Sequence, residues 1–280
     1  MSTRYGVVGW PVAHSRSPLI HNYWLQGAGI DAVYEAVAVP PEADFRTKLE
    51  ELREQGFAGV NVTIPHKEAA YAAVDTHDEA AAHLGAVNTI LLTGGKISGH
   101  NTDGRGFIDS LSPARDWASG PALVLGAGGA ARAIVGALLA AGLFDIRVSN
   151  RTRARAEAVA ALANTPENSG VVRVFDWAAR AQAAEGATLL VNTTSLGMQG
   201  APALDMSLDT LAAKATVADI VYVPLETDLL ARARSQGHMP VNGLGMLVHQ
   251  AAHAFDLWFG QHPAFDNVLR DHLHRDLGET

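Results

Sequence analysis

The chain has 280 residues, 48% hydrophobic and 18% charged, with a net charge of −8 and no cysteine. That composition suits a globular α/β protein of one large or two ordinary domains with a substantial core. The acidic balance without a basic run argues against nucleic acid as a partner, and the lack of cysteine excludes disulfides and thiolate chemistry and fits a reducing, cytoplasmic setting. The opening MSTRYGVVGWPVAHS has an apolar run too short for a secretory signal. Residues 120–143 mimic a membrane span in length, but Arg132 near the middle and glycines at 126, 128 and 129 favour a strand, a tight turn and a helix instead.

Taken in order, RYGVVGW (4–10) reads as a strand, and SPLIHNYWLQGAG (17–29) as a helix with Ser17 at the N-cap and Pro18 at the first helical position. VYEAVAV (33–39) is a second strand. EADFRTKLEELREQG (42–56) is an amphipathic helix that stops at Gly56, and GVNVTI (59–64) is a third strand with a helix starting at Lys67. AVNTILL and KISGHNTD form a strand pair joined by Thr93, Gly94 and Gly95. From about residue 104 the texture changes to alanine-rich strand–helix units. ALVL, DIRVSN (145–150), VVRVFDW, TLLVNTT and TVADIVY are strands, and RARAEAVAALAN (153–164) is a helix. Helices close the chain after residue 242. Strands that alternate with helices imply mostly parallel sheets, and the second half has the rhythm of a doubly wound nucleotide-binding domain.

Gly126-Ala127-Gly128-Gly129-Ala130 follows a strand and opens a helix, the context that a dinucleotide-binding turn requires. Small residues let the backbone approach a pyrophosphate, and the helix N-terminus offers it unpaired N–H groups. The next strand ends in Asn150, followed by Arg151, Thr152, Arg153 and Arg155. An NAD site usually places a carboxylate there, whereas arginines suit the 2′-phosphate of NADP. Cations are also unfavourable at a helix start unless an anion joins them.

Lys67 follows Pro65, which cannot extend the sheet, so it projects from the carboxyl end of the third strand, where open sheets bind ligands. There it can transfer protons. From spacing alone it can equally cap a helix surface. Asp103, in NTDG, is a turn or N-cap residue on its own, or the partner of Lys67 if that junction lines a cleft.

Eight segments, HSRSP (14–18), NVTIPHK (61–67), GAVNT (85–89), NTDG (101–104), GAGGAARA (126–133), NRT (150–152), NTTSLGM (192–198) and GLGMLVHQAAHAF (243–255), occur in an order and spacing in which the chain resembles the shikimate dehydrogenase family over essentially its whole length. The resemblance implies an α/β fold of two domains. One is a substrate domain, 1–103 plus 243–280, with a mostly parallel sheet to which the C-terminal helices return. The other is a Rossmann-like NADP domain, 104–242. It implies Lys67 and Asp103 as the catalytic pair, and Ser15 and Ser17 as holders of the substrate carboxylate. Thr63, Asn88 and Gln250 would bind or place ring hydroxyls. Tyr222, Gly243 and Ile220 would lie near substrate and nicotinamide, and Asn150, Arg151, Thr152 and Arg155 at the adenosine phosphate. The implied reaction is NADP-dependent interconversion of 3-dehydroshikimate and shikimate, a step toward chorismate and aromatic amino acids. A quinate-oxidising paralogue and a non-catalytic nucleotide sensor are the alternatives. Monomer and homodimer stay open.

Twelve histidines do not make a metal site: His249 and His253 share a helix face but have no acidic third ligand nearby, and no metal is expected. His66 precedes the lysine and is expected to point elsewhere, although a second proton carrier is the alternative. Trp10, Trp24 and Trp258 are expected in the core or in domain packing. Glu79 is expected on a helix surface.

Overall fold

The computed structural model of the chain describes residues 2–111, 116–163 and 168–278. Contacts divide it into two units, Met1–Asp103 with Val248–Thr280, and Gly104–Leu247.

The first unit contains β1 (Thr3–Gly9), α1 (Ser17–Ala28), β2 (Ala32–Ala38), α2 (Phe45–Glu54), β3 (Phe57–Val62), α3 (Lys67–Ala73), β4 (Thr76–His77), α4 (Glu79–Leu84), β5 (Thr89–Leu91) and β6 (Ser98–His100). Its sheet has the order β2-β1-β3-β5-β6-β4. Only β5 runs against the rest: it pairs antiparallel with both β3 and β6, so that Asn61 faces Thr89 and Thr89 faces His100. α2 starts later than the sequence suggests, because Asp44 takes extended backbone and its carboxylate accepts the Thr47 N–H at 2.7 Å. Val8, Leu49, Val60, Val87, Ile90 and Ile97 form the centre of this unit's core.

The second unit contains the greater part of α5 (Asp103–Ser110), then β7 (Ala122–Leu125), α6 (Gly129–Ala140), β8 (Ile146–Asn150), α7 (Arg153–Ala163), β9 (Val172–Asp176), a 3-10 turn (Trp177–Ala179), α8 (Arg180–Ala183), β10 (Leu189–Asn192), β11 (Thr216–Asp219), α9 (Asp228–Ser235) and β12 (Met239–Val241). Asn164, expected at the end of α7, lies outside the described residues. The sheet is parallel throughout, in the order β12-β11-β10-β7-β8-β9. That is the doubly wound order, and its direction of winding reverses between β7 and β10, where such sheets bind ligands. β7 shows why both faces are covered. Ala122 and Val124 pack with Ile134 and Val159 on one side, and Leu123 and Leu125 pack with Leu190 and Leu229 on the other. Each fully buried Leu of this kind stabilises the fold by about 1.5–3 kcal/mol.

α10 (Gly243–Phe259) begins in the second unit and continues in the first from Val248, and α11 (Asn267–Asp276) follows. In the first unit Trp258 packs on Tyr5 at 5.1 Å and donates to the Ile90 carbonyl at 3.1 Å. Trp24 is buried and donates to the Ala264 carbonyl at 3.2 Å. Trp10, expected in the core or in domain packing, is 46% exposed and lies outside the core, because β1 ends one residue before it. Among the described residues no helix is long and apolar enough to cross a membrane.

Candidate active site

β3 delivers the chain to the first candidate cluster. After it ends at Val62, Thr63 donates its N–H to the Val8 carbonyl at 2.9 Å, and His66 donates back to the Thr63 carbonyl at 3.0 Å. This turn opens α3 at Lys67. The Lys67 ammonium pairs with Asp103 Oδ2, and the two side chains are 20% and 7% exposed. Asp103 Oδ1 accepts from the Asn88 amide at 2.8 Å, so both carboxylate oxygens have donors. The Asn88 amide group also donates to Thr102 Oγ1 at 2.9 Å and approaches Gln250 Oε1 at 3.4 Å. Asn88 Oδ1 accepts from the Thr102 N–H at 2.8 Å, which fixes which way the amide faces. A buried ion pair tolerates low dielectric only with such added hydrogen bonds, and losing one partner leaves an uncompensated charge. Lys67, Asp103, Asn88 and Gln250 therefore form one group.

His66 is only 3% exposed, and its Nε2 donates to the Val39 carbonyl at 2.7 Å beside the Phe45 ring. This supports the expectation that it points elsewhere. Ser17 is not the N-cap of α1: Arg16 holds that place, with helical backbone and no side-chain cap, and Ser17 is already in the first turn. Its N–H donates to Ser15 Oγ at 3.3 Å, which brings the two serines together. Glu79 is exposed on α4, as expected. No group of three metal-ligating side chains occurs among the described residues.

The second unit gathers the nucleotide candidates. Gly126 has φ +112°, and a Cβ there would sit 2.3 Å from Thr193 Oγ1, so only glycine fits this turn. The turn leads to Gly128, which caps α6 without any side-chain hydrogen bond and leaves the first amides of Gly129, Ala130 and Ala131 without a side-chain cap. Gly126, Ala127, Gly128, Asn150 and Arg151 line one cleft of about 170 Å³ together with Trp177 and residues 193–196. Asn150 shapes its rim by donating to the Thr152 carbonyl at 2.9 Å. Arg153 pairs with Glu157 and Asp176, at 2.8 and 2.7 Å. Arg151 and Arg155 are exposed and have no carboxylate partner among the described residues. An uncapped helix start, a close-approach glycine and two unengaged guanidiniums fit a dinucleotide with a 2′-phosphate.

Gly243, Ile220 and Tyr222 share this unit. A Cβ on Gly243 would lie 2.1 Å from the Ile220 carbonyl oxygen, and its N–H donates to the Val221 carbonyl at 3.1 Å. β11 stops at Asp219, short of the expected end at Tyr222, because the buried Asp219 carboxylate accepts the Val221 N–H at 3.1 Å and turns the chain. It also accepts from Asn192 and Thr227, at 3.0 and 2.8 Å. Burial pushes its pKa up, and these donors oppose that shift.

Three family models match: a shikimate dehydrogenase substrate binding domain at residues 7–90, shikimate / quinate 5-dehydrogenase at 111–186, and a shikimate 5'-dehydrogenase C-terminal domain at 243–270. A shikimate dehydrogenase (NADP(+)) of Methylobacterium radiotolerans is 53% identical over 277 residues, covering 97% of this chain and 96% of that one. The chain belongs to the shikimate dehydrogenase family. Among solved structures, shikimate 5-dehydrogenase of Thermus thermophilus, in complex with NADP(H) and shikimate, is similar with a TM-score of 0.86 and 39% identity, over 98% of this chain and 99% of that one. Quinate dehydrogenase of Corynebacterium glutamicum, in complex with NAD, is similar with a TM-score of 0.88 and 31% identity, over 97% and 99%. For this shikimate dehydrogenase family member the class is oxidoreductase and the cofactor NADP, in agreement with the arginines at the end of β8.

Several residues of the cleft carried no role in the sequence reading: Trp177 and residues 193–196. The segment 192–198 stood out as a motif, but only the folded sheet sets β10 beside β7 and so sets Thr193 against Gly126. A rule that the switch point lies between the first and fourth strands of such a unit would have pointed to it.

Proposed function

We propose that the chain reversibly reduces 3-dehydroshikimate to shikimate, with Lys67 as general acid and base. Bound NADPH supplies the hydride that reaches the carbonyl carbon. As that carbon is reduced, Lys67 gives a proton from Nζ to the developing alkoxide oxygen. In the oxidative direction Lys67 takes the proton back from the hydroxyl. Asp103 orients the ammonium and accepts from the neighbouring ring hydroxyl. Asn88 and Gln250 position ring hydroxyls, as Thr63 does from the turn after β3. Ser15 and Ser17 donate to the substrate carboxylate without burying another charge. Arg151 and Arg155 take the 2′-phosphate, and the amides at the start of α6 take the pyrophosphate. Ile220, Tyr222 and Gly243 are assigned to substrate and nicotinamide contacts. The domain that binds substrate is 1–103 with the C-terminal helices, and 104–242 binds NADP.

The observation that carries this reading is the partly buried Lys67–Asp103 pair, braced by Asn88 at the carboxyl end of β3. A nucleotide sensor would have no use for an ion pair held this way. Quinate is the second reading, favoured by the family model and by the similarity to a quinate dehydrogenase. Against its NAD-dependent form stands Asn150-Arg151, where a carboxylate would serve NAD.

The test is the initial rate of NADP⁺ reduction with shikimate and with quinate, each repeated with NAD⁺. A strong preference for shikimate and NADP⁺ is expected. Comparable rates with quinate would select the second reading, and no rate with either would reject both.

A further inference from the structure

Tyr34 sits at the middle of β2, 2% exposed, and plays no part in the chemistry above. Its position is unusually well held. Asn22 on α1 clamps its backbone, accepting the Tyr34 N–H at 3.0 Å and donating to the Tyr34 carbonyl at 2.8 Å. The His21 ring stacks flat on the phenol, 4.1 Å away and 7° from parallel. The phenolic oxygen is thereby fixed at one point, and a directional series of hydrogen bonds passes through it.

The series can be followed donor by donor. Burial raises the Tyr34 hydroxyl well above its ordinary pKa, which keeps it a neutral donor. Tyr34 then donates to Asn61 Oδ1 at 2.7 Å. With its oxygen so occupied, Asn61 must aim its amide nitrogen at Thr89 Oγ1, 3.0 Å away, and at the Asn88 carbonyl, 3.2 Å away. Thr89 passes its own hydroxyl hydrogen to Asn88 Oδ1 at 3.0 Å. Asn88 then donates to Asp103 Oδ1 at 2.8 Å, and Asp103 holds Lys67. Every link donates in the same direction and the series ends on an anion. Hydrogen bonds in such a row polarise one another, most of all where water is excluded.

We propose that Tyr34 is a positioning residue for the reaction: its hydroxyl fixes Asn61 and, through Thr89 and Asn88, sets the orientation of Asp103 and Lys67. Without that hydroxyl, Asn61 loses the contact that fixes its amide, Thr89 is free to turn its hydrogen elsewhere, and Asn88 Oδ1 keeps only its Thr102 partners, which loosens the aim of its amide at Asp103. The loss falls on proton transfer, which depends on the aim of the lysine, and not on the nucleotide. The proposal rests on the reading of Lys67 and Asp103 as the acid–base pair.

Tyr34→Phe removes one oxygen and keeps the ring. Thr89→Val removes the third link and keeps the shape, and Thr89→Ser keeps the hydroxyl. Steady-state kinetics with shikimate and NADP⁺, alongside thermal unfolding, test the idea. Tyr34→Phe and Thr89→Val should each lower kcat about fivefold to tenfold, the worth of one buried hydrogen bond. The KM for NADP⁺ should stay unchanged, Thr89→Ser should restore kcat, and the double variant should be no worse than the poorer single one, because both break one series. A purely structural role would lower the melting temperature and leave kcat at the wild-type value, which would overturn the proposal. So would losses that multiply in the double variant. Should Tyr34→Phe fail to fold, the contrast between Thr89→Val and Thr89→Ser decides alone. Wild-type turnover separates the two levels: an active wild type with unaffected variants defeats the relay only, whereas an inactive wild type defeats the acid–base reading and the relay with it.

Discussion

In the first unit Lys67 and Asp103 engage each other, and both carboxylate oxygens have donors, whereas in the second Arg151 and Arg155 stand exposed with no carboxylate partner among the described residues. The contrast follows from what each group has to do. A residue that moves a proton must be aimed before the substrate arrives, and aim inside a protein comes from buried hydrogen bonds that cannot rearrange cheaply. A residue that binds a phosphate needs its donors uncommitted, because an internal carboxylate would compete with the ligand. Arg153 marks the difference within one helix: it pairs with Glu157 and Asp176, and its guanidinium is already committed.

Removing the brace breaks this comparison at its strongest point. Asp103→Ala should lower kcat about 100-fold, within the range of positioned acid–base catalysis, and leave NADPH affinity unchanged. Stopped-flow turnover and fluorescence titration with NADPH read the two quantities separately. An equal loss in both would mean that Asp103 supports the whole fold and not the lysine.

The complementary substitution lies in the second unit. Arg151→Ala should raise the KM for NADP⁺ about tenfold or more, as expected for a lost charge-assisted hydrogen bond, and leave the weaker use of NAD⁺ as it was. Equal losses for both nucleotides would refute the 2′-phosphate assignment.

How much of this is legible in the sequence depends on whether a feature is local. Strand and helix alternation is visible because apolar periodicity and glycine punctuation are properties of short windows. The turn at Gly126 and the lysine after Pro65 are local in the same sense. The hydrogen-bond partners are not. Nothing near Tyr34 or Asn61 shows that they meet, since they lie on strands separated by β1 in the sheet and 27 residues apart in the chain. Residues 193–196 join the cofactor cleft only because β10 returns beside β7. Ser17 illustrates a smaller shift: a serine before a proline looks like an N-cap, but the helix starts one residue earlier than that reading requires, and its N–H turns to Ser15 Oγ. Trp10 fell outside the core for an equally plain reason, the end of β1 at Gly9.

A separate expected effect concerns stability and comes from the same buried region. His21 lies among Trp24, Tyr34, Phe255 and Trp258, and burial, opposed only in part by the Asn61 amide, lowers its pKa from 6.5 to about 3. In the unfolded chain the imidazole takes a proton near pH 6.5; in the folded chain it does so only near 3. Between these values the unfolded state binds more protons, so stability is complete above pH 6.5 and falls as the pH is lowered, by up to about 1.4 kcal/mol per unit. His21→Phe should flatten this slope between about pH 6.5 and 5, above the ordinary carboxylate range, in urea unfolding series. An unchanged slope would assign the pH dependence to other groups.

The measurement that bears most directly on the central claim is the single-turnover rate of 3-dehydroshikimate reduction by Lys67→Ala with saturating NADPH, beside the NADPH affinity of the same variant. A fall of about 100-fold to 10,000-fold in the rate, with affinity unchanged, is the predicted result. A rate near that of the wild type would mean that the proton comes from elsewhere, and that the braced pair at the end of β3 has another purpose.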